Sequence, residues 1–150
     1  MKYLFAIGTL FLFLQFTPNE TSLTETKVQT IKTEKEGIQF FKGSLEEAKA
    51  LAKEEKKMIF IDAYTTWCGP CKMMASHTFT DPKVGEFFNE NYINLKVDME
   101  RGIGPKMASK YAVTAYPTLL IIDEGGNLMS KTIGFQNADQ LIKFGKKYEK

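Results

Sequence analysis

Cysteine is scarce in this 150-residue chain: there are two, alongside one histidine and one tryptophan. A structural zinc centre takes four ligands. Cys68, Cys71 and His77 with no second C-x-x-C fall short of that number. An excess of one charge is also missing, since the formal net charge is +2 and no dense basic cluster interleaves with aromatics. Nucleic acid is therefore not an expected partner. Internal repeats are absent too. The composition that remains, 43% hydrophobic and 25% charged, is that of an ordinary globular chain long enough for one domain with its own core.

Long hydrophobic runs are lacking except at the start. Lys2 precedes an apolar stretch, Tyr3 to Phe16, interrupted only by Gly8, Thr9 and Gln15. One positive charge before about 14 mostly apolar residues fits the first two regions of a secretory signal. A membrane span would want about 20 such residues. A buried core element fits poorly, because everything after Phe16 turns abruptly polar. The stretch FTPNETS (Phe16 to Ser22) offers no clear A-x-A cleavage site, which leaves an uncleaved anchor as the alternative. Residues 1–17 are thus expected to be a signal peptide or N-terminal anchor. Residues 18–37, rich in Thr, Glu and Lys without apolar periodicity, are expected to be a polar linker, and residues 38–150 the folded domain. Export would place the cysteines in an oxidising compartment.

Within the domain, strand and helix signals alternate. Ile38–Gly43 is a short strand candidate. Ser44 with Glu47 makes a capping-box pattern that opens a helix through Lys57. Met58–Tyr64 is nearly all apolar, as a strand covered on both faces would be. Pro70 suits the first turn of a new helix after the cysteines. Asp81 and Pro82 read as N-cap and first residue of another helix, through Asn91. Tyr92–Asp98 is strand-like, Pro105–Tyr111 helical, Pro117–Asp123 a strand, Glu124–Asn127 a turn, and Leu128–Phe135 its hairpin partner. Asn137 caps a last helix to Tyr148. This order predicts an α/β fold, a mixed sheet with helices on both faces.

The two cysteines sit three positions apart in TTWCGPCKMM (Thr65 to Met74). As a staple they would be inefficient, because a loop this short contributes only about 2 kcal/mol. Soft copper held by two thiolates, with Met73 and Met74 as thioethers, stays an alternative. Neighbouring methionines at a helix start are more often core packing, and His77 reads as a surface or helix-end residue. A redox centre uses every feature. The strand delivers the chain to Cys68 at a helix start, where free N–H groups and the positive end of the helix dipole favour a thiolate. Cys71 lies one turn on, within reach to attack a mixed disulfide. Gly69 gives the turn freedom, and Pro70 fixes φ without orphaning an N–H.

WCGPCK (Trp67 to Lys72), Asp62 six residues before Cys68, and AYPTLLIID (Ala115 to Asp123) together resemble the thioredoxin family over nearly all of 38–150. The surrounding KMIFIDAYTTWCGPCKMMASHTFTDPKV is similar to an exported branch, the C-terminal thioredoxin-like domain of the transmembrane thiol:disulfide interchange proteins. The resemblance implies the thioredoxin-like fold, a Cys68–Cys71 disulfide, Cys68 as nucleophile and Cys71 as resolving thiol. It implies a partly buried Asp62 that moves a proton to or from Cys71, and a cis Pro117 that leaves the Tyr116 backbone open to substrate. Trp67, Gly69 and Pro70 would shape the substrate surface. Two positions depart from the family pattern. The lysine usually paired with the buried carboxylate would fall at Asn94, with Lys96 two residues away, and Tyr116 stands where Ile, Val or Thr is common.

The function implied is an exported, periplasmic thiol–disulfide oxidoreductase, monomeric and without cofactor or metal. Its Gly-Pro dipeptide resembles the reducing end of the family. Its substrates would be disulfides of exported proteins, cytochrome apoproteins included, and a membrane protein would donate electrons. The alternatives are a disulfide oxidase or isomerase, a copper- or haem-delivery chaperone using the cysteines as ligands, and a redox-inert interaction domain.

Overall fold

Ser44 opens the first helix by reciprocal capping. Its hydroxyl accepts the Glu47 N–H at 3.2 Å, and the Glu47 carboxylate accepts the Ser44 N–H at 2.7 Å, which satisfies donors the helix start would leave orphaned. This helix, α1, spans Leu45–Glu55 in the computed structural model, which describes residues 37–149. It stops short of Lys57 because Lys56 takes a left-handed conformation, φ 55°. Then follow β1 (Met58–Tyr64), α2 (Gly69–Met73), a π-helical turn (Met74–Thr78), α3 (Pro82–Asn91), β2 (Tyr92–Asp98) and α4 (Gly104–Lys110). β3 (Thr118–Ile122), β4 (Leu128–Ile133) and α5 (Ala138–Lys146) complete the order.

The sheet runs β2-β1-β3-β4, with β1 parallel to β2 and antiparallel to β3, and β3 antiparallel to β4. β1 is central, so its alternating side chains feed two separate cores. Ile59, Ile61 and Ala63 pack against Ala48 and Ala52 of α1 and Met107 of α4. Phe60 faces the opposite way, against Met74, Val84 and Phe88, with Leu141 of α5. Each such fully buried Ile or Phe contributes about 1.5–3 kcal/mol over its exposed state. This is the mixed sheet with helices on both faces that the sequence predicts.

Besides α1, which ends two residues early, three elements depart from or add to the expected order. Ile38–Gly43 is not a strand: it makes one bridge, Phe40 beside Asn94. The Phe41 N–H bonds to Asn94 O at 2.7 Å on the β2 edge, while the Ile38 N–H bonds to Phe79 O at 2.7 Å, so the pairing does not extend into a ladder. The helix after the cysteines is not continuous, because beyond α2 the chain widens and Phe79 N–H reaches back five residues to Met74 O at 2.8 Å. The last helix ends at Lys146, and Tyr148 instead sends its hydroxyl to Met129 O at 2.6 Å. Gly37 packs against α3, its carbonyl accepting from Asn89 Nδ2 at 3.1 Å. The apolar stretch Tyr3–Phe16 and the polar residues 18–36 lie outside the described residues. Among the described residues no helix is long and apolar enough to cross a membrane.

Candidate active site

β1 ends at Tyr64 and hands the chain to Cys68, which caps α2. The Cys68 backbone is extended, and its Sγ accepts the Cys71 N–H at 3.2 Å. Pro70, near the start of α2, is suited to a position where an N–H would lack a partner. Cys68 and Cys71 form a disulfide with their Cα atoms 5.3 Å apart. Both side chains are buried, whereas Gly69 and Pro70 between them are exposed. On reduction, the N–H that already points at Cys68 Sγ and the field of the helix start favour its thiolate.

Asp62 lies in β1 on the face of Phe60, the side covered by Met74, the first residue of the π-helical turn that follows α2. It is fully buried. Register places Lys96 of β2 beside it and Asn94 beside Phe60. Lys96 Nζ forms an ion pair with Asp62 Oδ2 at 3.3 Å, outside the geometry of a hydrogen bond. Neither carboxylate oxygen has a hydrogen-bond partner among the described residues. Burial pushes the Asp62 carboxyl up to about 6, against the opposing pull of the Lys96 ammonium. Lys96 is in turn seated among aromatic faces, 4.7 Å from the Tyr64 ring centre and 5.6 Å from that of Phe79. Asn94 has other work: its amide donates to Phe88 O at 3.2 Å. The lysine charge expected at Asn94 is thus supplied two residues along the same strand, where the period of two returns a side chain to the same face.

β3 brings in the remaining residues. Thr118 pairs with Ala63, which sets Pro117 beside the end of β1. The Tyr116–Pro117 peptide bond is cis, Pro117 is buried and Tyr116 half-buried. Thr118 Oγ1 donates to Ala115 O at 2.7 Å, and the Gly134 N–H to Pro117 O at 2.8 Å. Trp67 is 64% exposed. Its ring stands edge-on to Tyr116, centroids 5.9 Å apart, and its Nε1–H is directed at the Glu100 carboxylate. Trp67, Cys68, Gly69, Pro70 and Cys71 are brought together by the chain itself, Tyr116 and Pro117 by strand pairing.

Of the two methionines, Met74 is core and Met73 is 52% exposed, so the expectation of core packing fails for Met73, the neighbour one position too far round the helix. His77 is exposed, its Nδ1 3.1 Å from Met73 O and 2.8 Å from Ser76 Oγ. Among the described residues no three His, Cys, Asp or Glu side chains converge as a metal site. Glu100 and Gly134 stand at the site without a signal in the sequence, since each arrives from a loop whose contacts depend on the sheet being assembled.

The family profile described as Thioredoxin matches residues 39–147. The solution structure of a candidate disulphide-isomerase from Bacteroides thetaiotaomicron is 44% identical, covering 72% of this chain and 89% of that one, with a TM-score of 0.66. Thioredoxin of Staphylococcus epidermidis is 34% identical over 90 residues, 60% of this chain and 81% of its own length. The thiol:disulfide interchange protein DsbD of Haemophilus influenzae is 28% identical over 120 residues, 77% of this chain but 21% of that much longer protein. With its mixed sheet, its Cys68–Cys71 disulfide at a helix start and these relatives, the chain belongs to the thioredoxin family and is a thiol–disulfide oxidoreductase.

Proposed function

We propose that the protein acts outside the cytoplasm as a disulfide reductase, with Cys68 as nucleophile and Cys71 as resolving thiol. In the reduced enzyme the Cys68 thiolate attacks one sulfur of a substrate disulfide. This forms a mixed disulfide and releases the other substrate sulfur as a thiolate. Cys71, deprotonated, then attacks Cys68 Sγ, which frees the second substrate thiol and leaves the enzyme disulfide. Two electrons pass to the substrate and return from a donor dithiol, in our reading on a membrane protein. Asp62 is the proton acceptor for Cys71: a buried carboxyl that titrates near 6 can take up and return a proton close to neutral pH. Trp67, Gly69, Pro70, Tyr116 and Pro117 form the surface on which the substrate chain lies. Export rests on the Lys2–Phe16 pattern, with residues 1–17 as leader or anchor and 18–37 as tether to the domain.

The observation that carries the direction is the Gly69-Pro70 dipeptide at the start of α2, between a capping Cys68 and a buried Cys71. Similarity to the Bacteroides candidate disulphide-isomerase favours isomerase as the second reading. Equilibrating the protein against glutathione buffers and trapping the thiols by alkylation separates them. We expect a potential near thioredoxin's, about −270 mV. A value near about −180 mV favours the isomerase, and one near about −120 mV an oxidase. Either would overturn the reductase.

A further inference from the structure

Trp67 is an exposed ring beside a buried disulfide, and it is held from two sides. Its Nε1–H lies 3.0 Å from one Glu100 carboxylate oxygen and 3.1 Å from the other. Its ring meets Tyr116 edge-on, the planes at 82°. Both holders stand on anchored backbone. The Glu100 N–H is tied to Asp98 Oδ1 at 3.0 Å at the end of β2. Tyr116 is flanked by the bonds from Thr118 Oγ1 to Ala115 O and from the Gly134 N–H to Pro117 O. Two segments far from Trp67 in sequence therefore converge on one side chain. A carboxylate accepting a neutral N–H makes a charge-assisted bond, and an edge-to-face pair adds orientation. If the ring served only the core it would be buried. With 64% of its surface open, it is fixed and yet presented.

We propose that Glu100 and Tyr116 are positioning residues: they clamp the Trp67 indole so that its free face meets the substrate chain beside the Cys68–Cys71 disulfide. This rests on the oxidoreductase reading of the site and adds a substrate preference to it. A held indole face favours an apolar or cationic side chain flanking the substrate disulfide, and the carboxylate at its edge adds to the preference for cations. Holding the ring before binding removes the need to immobilise it during binding, so the clamp lowers KM and leaves the chemical step alone.

Trp67 is the chain's single tryptophan, so time-resolved fluorescence anisotropy of the whole protein, excited at the red edge where tyrosine does not absorb, reads this ring alone. In wild type we expect the indole to tumble with the protein. In Glu100→Ala and in Tyr116→Val we expect a fast local component, with Glu100→Gln and Tyr116→Phe restoring most of the rigidity. In dithiothreitol-driven insulin reduction, Glu100→Ala should raise KM about three- to tenfold, the cost expected of immobilising one side chain at an interface, with kcat within about twofold. An indole equally rigid in both disrupting variants overturns the clamp. An indole set free with no change in KM overturns its role in docking. A wild-type protein that leaves insulin disulfides intact sinks the reductase reading instead, and the anisotropy then decides the clamp by itself.

Discussion

Asp62 concentrates the chemistry of a single residue: a carboxylate sealed from water, with an ammonium 3.3 Å away and no hydrogen bond to either oxygen among the described residues. Its folded pKa of about 6 lies above the usual 3.8. Between those values the unfolded chain has released this proton and the folded protein still holds it. The folded state therefore binds more protons, and stability falls as pH rises through the window, then levels off above about pH 6. Two pH units correspond to about 3 kcal/mol. Asp62→Asn removes the charge and keeps the shape. In the oxidised protein we expect it to be more stable than wild type by about 1–3 kcal/mol at pH 7, with the gap closing below pH 4. Urea titrations at pH 4, 5.5 and 7 check this, and a gap that does not depend on pH would show that Asp62 is not the titrating group. Asp62 was legible through the resemblance, six residues before Cys68, whereas its place at the end of an apolar strand suits a hydrated carboxylate equally well. Its partner was less so. Asn94 and Lys96 share a face of β2, and only the parallel register, Asp62 beside Lys96, decides between them.

At the scale of elements, local chemistry is legible in the sequence and sheet edges are not. Ser44, Asp81 and Asn137 cap the helices they were expected to cap, because a cap is a contact between residues two or three apart. Ile38–Gly43 has the composition of a strand but is not one, because whether a segment pairs along a sheet edge depends on competitors elsewhere, here Phe79 O. The π-helical turn after α2 was invisible for a similar reason: it has no composition of its own, and Ser76 Oγ, which donates to Lys72 O at 3.0 Å, looks like any surface serine. Gly85 shows the same dependence on distant neighbours. It sits inside α3, where Ala would gain about 1 kcal/mol of helix propensity. Yet a Cβ there would meet the Gly37 carbonyl carbon and oxygen at 2.5 Å and its Cα at 2.6 Å. Those are backbone atoms, which cannot swing aside as a flexible side chain does. Overpacking of this kind costs about 1–3 kcal/mol. Gly85→Ala should therefore be net destabilising, with a lowered urea midpoint and an unchanged m-value. A midpoint at or above wild type would mean that Gly37 moves away freely.

For the whole molecule, redox direction and folding stability are two sides of one cycle. Reducing the disulfide and then unfolding must give the same total as unfolding and then reducing. The native disulfide is therefore a poorer oxidant than the same bridge in the unfolded chain by the amount that it stabilises the fold. Chain entropy alone gives a four-residue loop about 2 kcal/mol in favour of the oxidised fold. Two native features bear on the sign. The Cys71 N–H bond to Cys68 Sγ and the helix field favour the Cys68 thiolate and so lift the reduced form. With Asp62 serving Cys71, as proposed, its buried charge acts against a second anion and so lowers it. A strong oxidant arises when its reduced form is the more stable. If the protein is a reductase, the loop entropy and the Asp62 charge outweigh the stabilised thiolate, and at pH 7 urea titration should give the oxidised form the higher unfolding free energy, by about 1–2 kcal/mol. The comparison needs only the pure oxidised protein and the same protein kept in excess dithiothreitol. A reduced form that outlasts the oxidised one would place the chain among disulfide donors, and it would do so independently of any potential measured in glutathione.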